Sequence, residues 1–192
     1  ILAIRDDLPH PPYLYLGFQR PPTRDQLRRL IETQDIASLG TTQVRALGSA
    51  QVASLTTDQV AAISTTTLSS MATASVRAIT TDGIQALTTD QIVALTTTQA
   101  NTLSAGQIGA LTTDQVIALT TYQVGNLSTA TLKALSTEQL VAIETTDIQA
   151  LKTSQLATLA TSTVAALSTD QIVALTTYQV SSLTTATIKA LT

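Results

Sequence analysis

An eight-residue unit recurs without a gap from residue 31 to the end of this 192-residue chain, and it constrains the fold more than any other feature. Laid out from Ile31, the sequence gives 20 complete octads followed by Leu191 and Thr192. A typical octad reads Leu-Thr-Thr-Asp-Gln-Val-Ala-Ala, as at residues 55–62. Gapless repetition with a short period predicts a solenoid, in which each unit packs against its neighbours.

The positions of the octad differ in chemical character. Position 1 is aliphatic or Met in all 20 octads, and position 6 is Val, Ile or Leu in 19, with Ala100 as the exception. Position 8 is always Ala, Ser, Thr or Asn, while position 3 is Thr in 18 octads and position 5 is Gln in 12. We therefore predict that positions 1 and 6 form the core and that the small residue at position 8 allows close packing.

The period decides between regular structures. On a continuous α-helix eight residues advance about 800°, or about 80° beyond two turns, so the Leu stripe would circle the helix. Strict strand alternation also fails, because positions 8 and 1 are adjacent and both are predicted to be buried. A β-solenoid is the alternative, favoured by the abundance of Thr, Val and Ile.

One short helix in each octad fits the pattern best. Thr at position 3, often preceded by Thr or Ser at position 2, is typical of an N-cap, and an acid at position 4 then lies in the positive first turn. Where position 2 is Thr or Ser, Gln at position 5 completes a capping box, as in Thr88–Gln91. Helices this short are unstable alone. We therefore predict an all-α solenoid of short capped helices whose neighbours share one core.

A longer period lies on top of the octad. Residues 111–136 match residues 167–192, which are 56 positions further on, at 18 of 26 sites. Tyr122 recurs as Tyr178, and Lys133 recurs as Lys189. Either seven octads form one turn of a superhelix, or the match records a duplication.

The N-terminal stretch, residues 1–30, does not follow the octad. All five prolines lie in residues 1–22, beside the aromatic residues Tyr13, Tyr15 and Phe18, so this part is predicted to be a linker or an end cap. Residues 23–30 imitate the octad out of register and are predicted to form a capping helix with a polar outer face. Residues 31–192 are the octad-repeat solenoid.

Composition argues against several classes of function. Only 12% of the residues are charged and the net charge is −3, which does not suit a nucleic-acid partner. The chain has no Cys, and its one histidine, His10, lies between two prolines without a partner for a catalytic triad or a metal site. Polar residues interrupt every apolar stretch, so no membrane span is expected. We expect a non-catalytic protein without a cofactor or metal.

Position 7 carries the main candidate contact residues. It should face outward because it holds charged residues such as Arg45 and Arg77, yet it is apolar in several octads. The residues predicted to make lateral contacts are Val93, Ile117, Val141 and Val173, together with Tyr122 and Tyr178. The alternatives are a partly buried groove position for the aliphatic residues and duplicated surface residues for the tyrosines.

The octad resembles the Leu-Thr-Thr-x-Gln-Val-x-Ala runs of very long, repetitive bacterial proteins described as secreted or surface proteins of the adhesin type. This resemblance covers residues 31–192 and implies an extracellular or cell-surface location. Residues 87–94 also resemble the start of transcription activator-like effector repeats, whose first helix begins Leu-Thr-Pro-x-Gln-Val-Val-Ala. The chain lacks that family's second helix, base-reading loop and positive charge, so this second resemblance implies a capped helix and no DNA binding.

These observations predict a structural role. The leading hypothesis is a stalk, spacer or filament-forming segment of an exported bacterial protein; the alternatives are a binding module that uses a solenoid face and an intracellular length ruler. The sequence stops inside an octad, at Leu191 and Thr192, without polar residues at positions 1 or 6 of the preceding octad. We therefore expect self-association or a longer parent chain.

Overall fold

The computed structural model describes residues 33–191, which form 20 short α-helices, one in each octad. No β-strand occurs within residues 33–191, so the predicted all-α solenoid is confirmed and the β-solenoid alternative is wrong. The predicted linker at residues 1–22 and capping helix at residues 23–30 lie outside the described residues. The helices are α1 (Thr33–Ser38), α2 (Thr41–Arg45), α3 (Ser49–Val52), α4 (Thr57–Ala61), α5 (Thr65–Ser70), α6 (Thr73–Arg77), α7 (Thr81–Ala86), α8 (Thr89–Ala94), α9 (Thr97–Thr102), α10 (Ala105–Gly109), α11 (Thr113–Ile117), α12 (Thr121–Gly125), α13 (Thr129–Ala134), α14 (Thr137–Val141), α15 (Thr145–Ala150), α16 (Thr153–Leu156), α17 (Thr161–Ala165), α18 (Thr169–Ala174), α19 (Thr177–Ser181) and α20 (Thr185–Ala190).

From α2 onward, the N-cap of each described helix lies at position 2 of the octad, one residue before the position assigned from the sequence. In α8 the cap is Thr88, whose hydroxyl accepts a hydrogen bond from the Gln91 backbone N–H at 3.2 Å, and Thr89 is the first helical residue. The assignment to position 3 was wrong because Gln at position 5 can close a capping box only if the cap lies three residues before it. The predicted acids in the first helical turn are confirmed at Asp58, Asp82, Asp90, Asp114, Glu138 and Asp170.

Extended residues at positions 1 and 2 separate successive helices. Leu87, which ends α7, has φ −58° and ψ 136°, and Thr88, which caps α8, has φ −73° and ψ 160°. Two extended residues break the helical hydrogen bonding and redirect the chain before the next cap starts a new helix. The octad therefore alternates a short helix with a bend, which coils the chain over residues 33–191.

One turn of this coil takes about three and a half octads. Most of the described helices pack against the helix three octads later, as α12 does against α15 and α15 against α18. Hydrogen bonds between adjacent turns join residues that are 25 to 31 positions apart, most often 28, and 28/8 = 3.5 octads. The match at a shift of 56 positions therefore spans two turns (2 × 28), and the interpretation of seven octads as a single turn is wrong.

The core consists of positions 1 and 6, as predicted. From Ile36 to Val164, the position 6 side chains are between 0 and 4% exposed, and the position 1 side chains join them in one continuous apolar cluster. Most alanines at position 8 are half-buried, although Ala46 is exposed. The close packing expected at this position is confirmed for the alanines that contact the cluster, which are Ala62, Ala78, Ala110, Ala118, Ala134 and Ala142. An apolar cavity of about 20 Å³ lies beside Ala100, where position 6 is smallest.

Candidate functional site

The glutamines at position 5 are the most regularly placed polar groups of the solenoid, and we refer to them as the glutamine ladder. Each of the twelve side chains accepts, through Oε1, a hydrogen bond from the backbone N–H of the N-cap residue of its own helix. In α11 this bond runs from the Thr112 N–H to Gln115 Oε1 at 2.9 Å. This is the predicted capping box, and it satisfies a backbone donor that the helix leaves unpaired. The members are Gln43, Gln51, Gln59, Gln91, Gln99, Gln107, Gln115, Gln123, Gln139, Gln155, Gln171 and Gln179.

The other end of each amide links adjacent turns. Gln115 Nε2 donates to the carbonyl oxygen of Leu87 at 2.7 Å and to that of Ile84 at 2.8 Å, both in the preceding turn. The same bond, to the position 1 carbonyl 28 residues earlier, is made by all nine ladder members from Gln91 onward at 2.7–3.0 Å. The Leu87 carbonyl, which follows the end of α7, has no intrahelical partner, whereas the Ile84 carbonyl also accepts from the Leu87 backbone N–H at 3.2 Å. Each glutamine therefore joins the start of one helix to the end of another.

Octads without Gln at position 5 replace part of this contact. Ser75 Oγ donates to the Leu47 carbonyl at 3.0 Å, and Thr67 Oγ1 donates to the Leu39 carbonyl at 3.3 Å, each 28 residues earlier. In the octad that contains Thr131, the cap N–H of Ser128 instead donates to Asn101 Oδ1 at 2.6 Å. The position of the contact is thus maintained by shorter side chains, which form fewer hydrogen bonds.

Burial makes these contacts energetically important. The ladder side chains from Gln91 to Gln179 are between 2 and 4% exposed. A primary amide has one acceptor oxygen and two donor protons, so it suits a site with one N–H and two or three carbonyls. Within residues 33–191 no buried side-chain nitrogen or oxygen lacks a hydrogen-bond partner.

The chemistry of the ladder was only half predicted from the sequence. The capping box accounts for Oε1 but says nothing of Nε2, whose acceptors lie in the preceding turn of the coil. One signal of this second contact was present in the sequence. Gln also stands at position 5 of the octads whose position 2 is Gly40, Gly48 or Lys152. These three residues have no side-chain hydroxyl, so they cannot supply the other half of a capping box. The recurrence of Gln there indicates a second role.

Ionisable groups are sparse on the described surface. Asp147, at position 5, is buried, and its Oδ1 accepts a hydrogen bond from the Thr121 hydroxyl in the preceding turn at 2.6 Å. Hydrogen bonds from its own backbone N–H and from the Ser136 hydroxyl lower the pKa of Glu138. Residues 33–191 contain no group of three His, Asp or Glu side chains placed to hold a metal ion. Over the same residues, no helix is long and apolar enough to cross a membrane.

The predicted contact residues are all exposed. Val93, Ile117 and Val141 are 48, 43 and 37% exposed, whereas Val173, in the last turn, is 79% exposed. Tyr122 and Tyr178 are 72 and 83% exposed. Because Tyr178 lies two turns after Tyr122, the two tyrosines share one side of the solenoid, and the same holds for Ile117 and Val173. Their role in lateral contact stays a prediction.

Comparison with known families matches the repeat itself. The model of the ALTTAQ repeat matches five overlapping segments, residues 30–65, 60–97, 93–121, 121–153 and 140–177. The chain belongs to the ALTTAQ-repeat family. Residues 86–91, Ala-Leu-Thr-Thr-Asp-Gln, agree with the six letters of the family name except at Asp90, where the name has Ala. The final letter corresponds to position 5, the position of the glutamine ladder. Comparison with curated proteins and with solved structures gave no match.

The exceptional ALTTAQ octad at residues 79–86 offers a direct test of the ladder, because Gly83 stands at position 5. Gly83→Gln should have a free energy of unfolding about 1–2 kcal/mol above that of Gly83→Ala, since only the Gln side chain adds a hydrogen bond to the Leu55 carbonyl in the preceding turn. A Cβ at Gly83 would lie 2.8 Å from Cγ2 of Ile79, a buried β-branched side chain, so both the Gln and the Ala variant require Ile79 to shift. Urea denaturation measures the change.

Gly83→Ala is the matched control for this substitution. It gains the helix propensity and meets the same Ile79 contact, but it adds no amide. The difference between the unfolding free energies of the two variants therefore measures the contribution of the added amide hydrogen bond alone. Equal midpoints for the Gln and Ala variants would contradict the role assigned to the ladder.

Proposed function

We propose that this ALTTAQ-repeat chain is a non-catalytic structural segment, a stalk, spacer or filament-forming rod of an exported bacterial protein. The observation that carries the proposal is the glutamine ladder, which fastens every turn to the preceding one through buried hydrogen bonds. A coil whose adjacent turns are joined by such hydrogen bonds resists extension and bending, because each turn contacts two neighbouring turns at regular intervals. These properties suit a spacer, which holds the parts attached to its two ends at a fixed distance from each other.

The uniformity of the repeat supports this reading over a binding module. A solenoid that recognises a partner usually varies the residues on one face, whereas here the same residue types recur in successive octads on all sides. The net charge of −3 and the low content of charged residues support the absence of a nucleic-acid partner. The resemblance to surface proteins of the adhesin type supports an extracellular location.

A spacer predicts that length follows the number of octads. Deletion of residues 111–166 removes seven octads and two superhelical turns, and it joins position 8 of one octad to position 1 of another. With about 8–10 Å between packed helices, the longest dimension should shorten by about 16–20 Å, while the helical fraction is unchanged. Small-angle X-ray scattering and circular dichroism measure the two quantities.

Deletion of residues 111–138 is the matched control. It removes half as many residues and preserves the superhelical phase, but it joins position 8 to position 5 and breaks the octad. This smaller deletion should cause the larger loss of helicity and stability. A longest dimension that does not change on removal of seven octads would contradict the spacer function.

The proposed location has a separate test. Antibodies against the repeat should label intact cells of the source organism as strongly as permeabilised cells. Labelling that requires permeabilisation would contradict export and favour the intracellular ruler.

A further inference from the structure

Two outward-facing positions of the octad vary from one octad to the next, and their variation follows the superhelix. Among the described octads, position 4 is acidic in six, and position 7 is basic in four others. All ten of these charged side chains are exposed. Because one superhelical turn takes 28 residues, the separation of two such residues along the sequence gives their relative position around the solenoid.

The six acids lie on one side of the solenoid, which we refer to as the acidic face. Asp114 lies two turns, or 56 positions, after Asp58, and Asp170 lies two turns after Asp114. Counted from Asp58, Asp82 falls four residues short of a full turn and Asp90 falls four residues beyond it. The sixth acid lies two turns after Asp82. All six are therefore within about one seventh of a turn (4/28) of the same angular position.

Apolar side chains are exposed on the same face. On α8, α11 and α14, the residue three positions after the acid is Val93, Ile117 and Val141, respectively. Positions 4 and 7 are neighbours on the surface of a helix, and these three helices pack against one another in consecutive turns. The three aliphatic side chains are 37–48% exposed, and Tyr122, one octad after Asp114, is 72% exposed. The acidic face therefore combines negative charge with exposed apolar surface.

The four basic residues lie on a second side, which we refer to as the basic face. Lys133 lies two turns after Arg77, and Lys189 lies two turns after Lys133. Arg45 falls within four residues of the same angular position. Arg77 follows Asp58 by 19 residues, nine short of a full turn, so the two faces are about one third of a turn (9/28) apart. Position 4 is alanine on the helices of Arg77, Lys133 and Lys189, so each of these basic side chains has a small neighbour.

We propose that the acidic face binds the basic face of a second copy of the chain, so that solenoids associate side by side. The inference rests on the proposed structural function, since it specifies how such rods bind one another. Charge complementarity and a shared period favour a second copy as the partner. Both faces repeat every 56 positions, or about 16–20 Å along the coil, so charges that match at one point match again two turns later. A partner without this period would match at one point alone.

The two faces also differ in side-chain size. The basic face carries long side chains beside alanine, so the alkyl stems of Arg77 and Lys133 are available to pack against Val93 and Ile117 of the other copy while the charged groups reach its acids. Each exposed ion pair is weak, so several pairs and the apolar contact act together. Because the interface uses different surfaces on the two copies, each copy can bind two neighbours.

Sedimentation equilibrium of the full-length chain tests the proposal. The chain should self-associate at about 20 mM NaCl, and about 500 mM NaCl should weaken the association at least about tenfold, because salt screens exposed charges. Val93→Ser combined with Ile117→Ser should also weaken it, since the apolar contact is reduced. A chain that stays monomeric at low salt at every attainable concentration would overturn the proposal.

Reversal of charge on each face identifies the surfaces that meet. Arg77→Glu with Lys133→Glu, and Asp58→Lys with Asp114→Lys, should each lower the association constant at low salt at least about tenfold. An equimolar mixture of the two variants should restore the association, because the natural acidic face of the first variant can bind the natural basic face of the second. A mixture that associates no better than either variant alone would contradict contact between the two faces.

Lys133→Glu and Lys152→Glu are matched single variants for this experiment. Both replace an exposed lysine by the same residue and change the net charge equally, but Lys152 lies 19 residues after Lys133 and so about one third of a turn from the basic face. Only Lys133→Glu should weaken association, and circular dichroism establishes that every variant is folded. Equal effects of the two would show that net charge, and not the basic face, controls association. That result would overturn the proposal but leave the length dependence of the single chain, and so the spacer function, unaffected.

Discussion

Gln115→Glu is expected to destabilise the solenoid by about 3 kcal/mol or more at neutral pH, although it changes a single atom of the side chain. The Gln115 side chain is 2% exposed, and its Nε2 donates to the Ile84 and Leu87 carbonyls at 2.8 and 2.7 Å. In the variant a carboxylate oxygen faces those carbonyls, so two attractive contacts become repulsive and the buried charge has no counterion. Gln115→Met, which leaves the Leu87 carbonyl unpaired without adding charge, should cost about 2 kcal/mol.

The loss in Gln115→Glu should depend on pH. Burial against carbonyl oxygens raises the pKa of the introduced carboxyl in the folded state above its unfolded value of about 4.3. The folded state then binds more protons than the unfolded state, so the destabilisation is smallest below about pH 4.3 and grows as pH rises toward the folded pKa. Thermal unfolding at pH 4 and pH 7, always compared with the natural chain at the same pH, measures this difference.

Gln149→Glu is the control for both effects. Gln149 is exposed at position 7, so its replacement should change stability by less than about 0.5 kcal/mol at either pH. A similar loss in both variants, or a pH-independent loss in Gln115→Glu, would show that the Nε2 contacts contribute little to stability.

The sequence predicted the features that depend on neighbouring residues. The helices, the acids at position 4 and the core at positions 1 and 6 follow from an eight-residue pattern of capping groups and apolar side chains, as in Leu87–Ala94. The N-cap was misplaced by one residue because Thr occupies both position 2 and position 3, and either hydroxyl can cap a helix. Only the spacing to Gln91 distinguishes the two.

The number of octads in a turn could not be predicted, because it depends on the angle at each bend and on the packing of helices three octads apart. Without that number, the acceptors of Gln115 Nε2, at Ile84 and Leu87, could not be identified from the sequence. The missing length of the superhelical turn also limited the prediction of the contact residues. The sequence predicted that Ile117 and Val173 point outward, but that they share one side of the solenoid follows only from the length of the superhelical turn.

The glutamine ladder also explains why a chain of such short helices can be stable. Each helix is too short to form alone, and each depends on the turns before and after it. Gln115 caps α11 and, at the same time, satisfies carbonyls at the end of α7. Capping and inter-turn contact are therefore made by one side chain, so that formation of a helix and its packing are coupled.

Leu111→Asp is expected to cost about 4 kcal/mol and to disturb the turns on both sides of the substituted octad. The Leu111 side chain, at position 1, is 8% exposed and lines the apolar cavity with residues from adjacent turns, among them Ile92 and Leu135. The Leu111 carbonyl accepts a hydrogen bond from Gln139 Nε2 at 2.7 Å. A shift of the Leu111 backbone therefore also weakens this hydrogen bond to the next turn. A carboxylate among these apolar side chains is removed from bulk solvent without a charged partner, which destabilises its ionised form.

The neighbouring Thr112→Ser is the matched control, because it lies one residue away and keeps the hydroxyl that accepts from the Gln115 N–H at 3.2 Å. Its effect on stability should stay below about 0.5 kcal/mol. Amide hydrogen exchange should show, for Leu111→Asp alone, faster exchange in α8 and α14 as well as in α11, since local unfolding in a repeat protein spreads through the interfaces between neighbours. Equal and small effects of the two substitutions would show that Leu111 is not a core position and that the octad register is wrong.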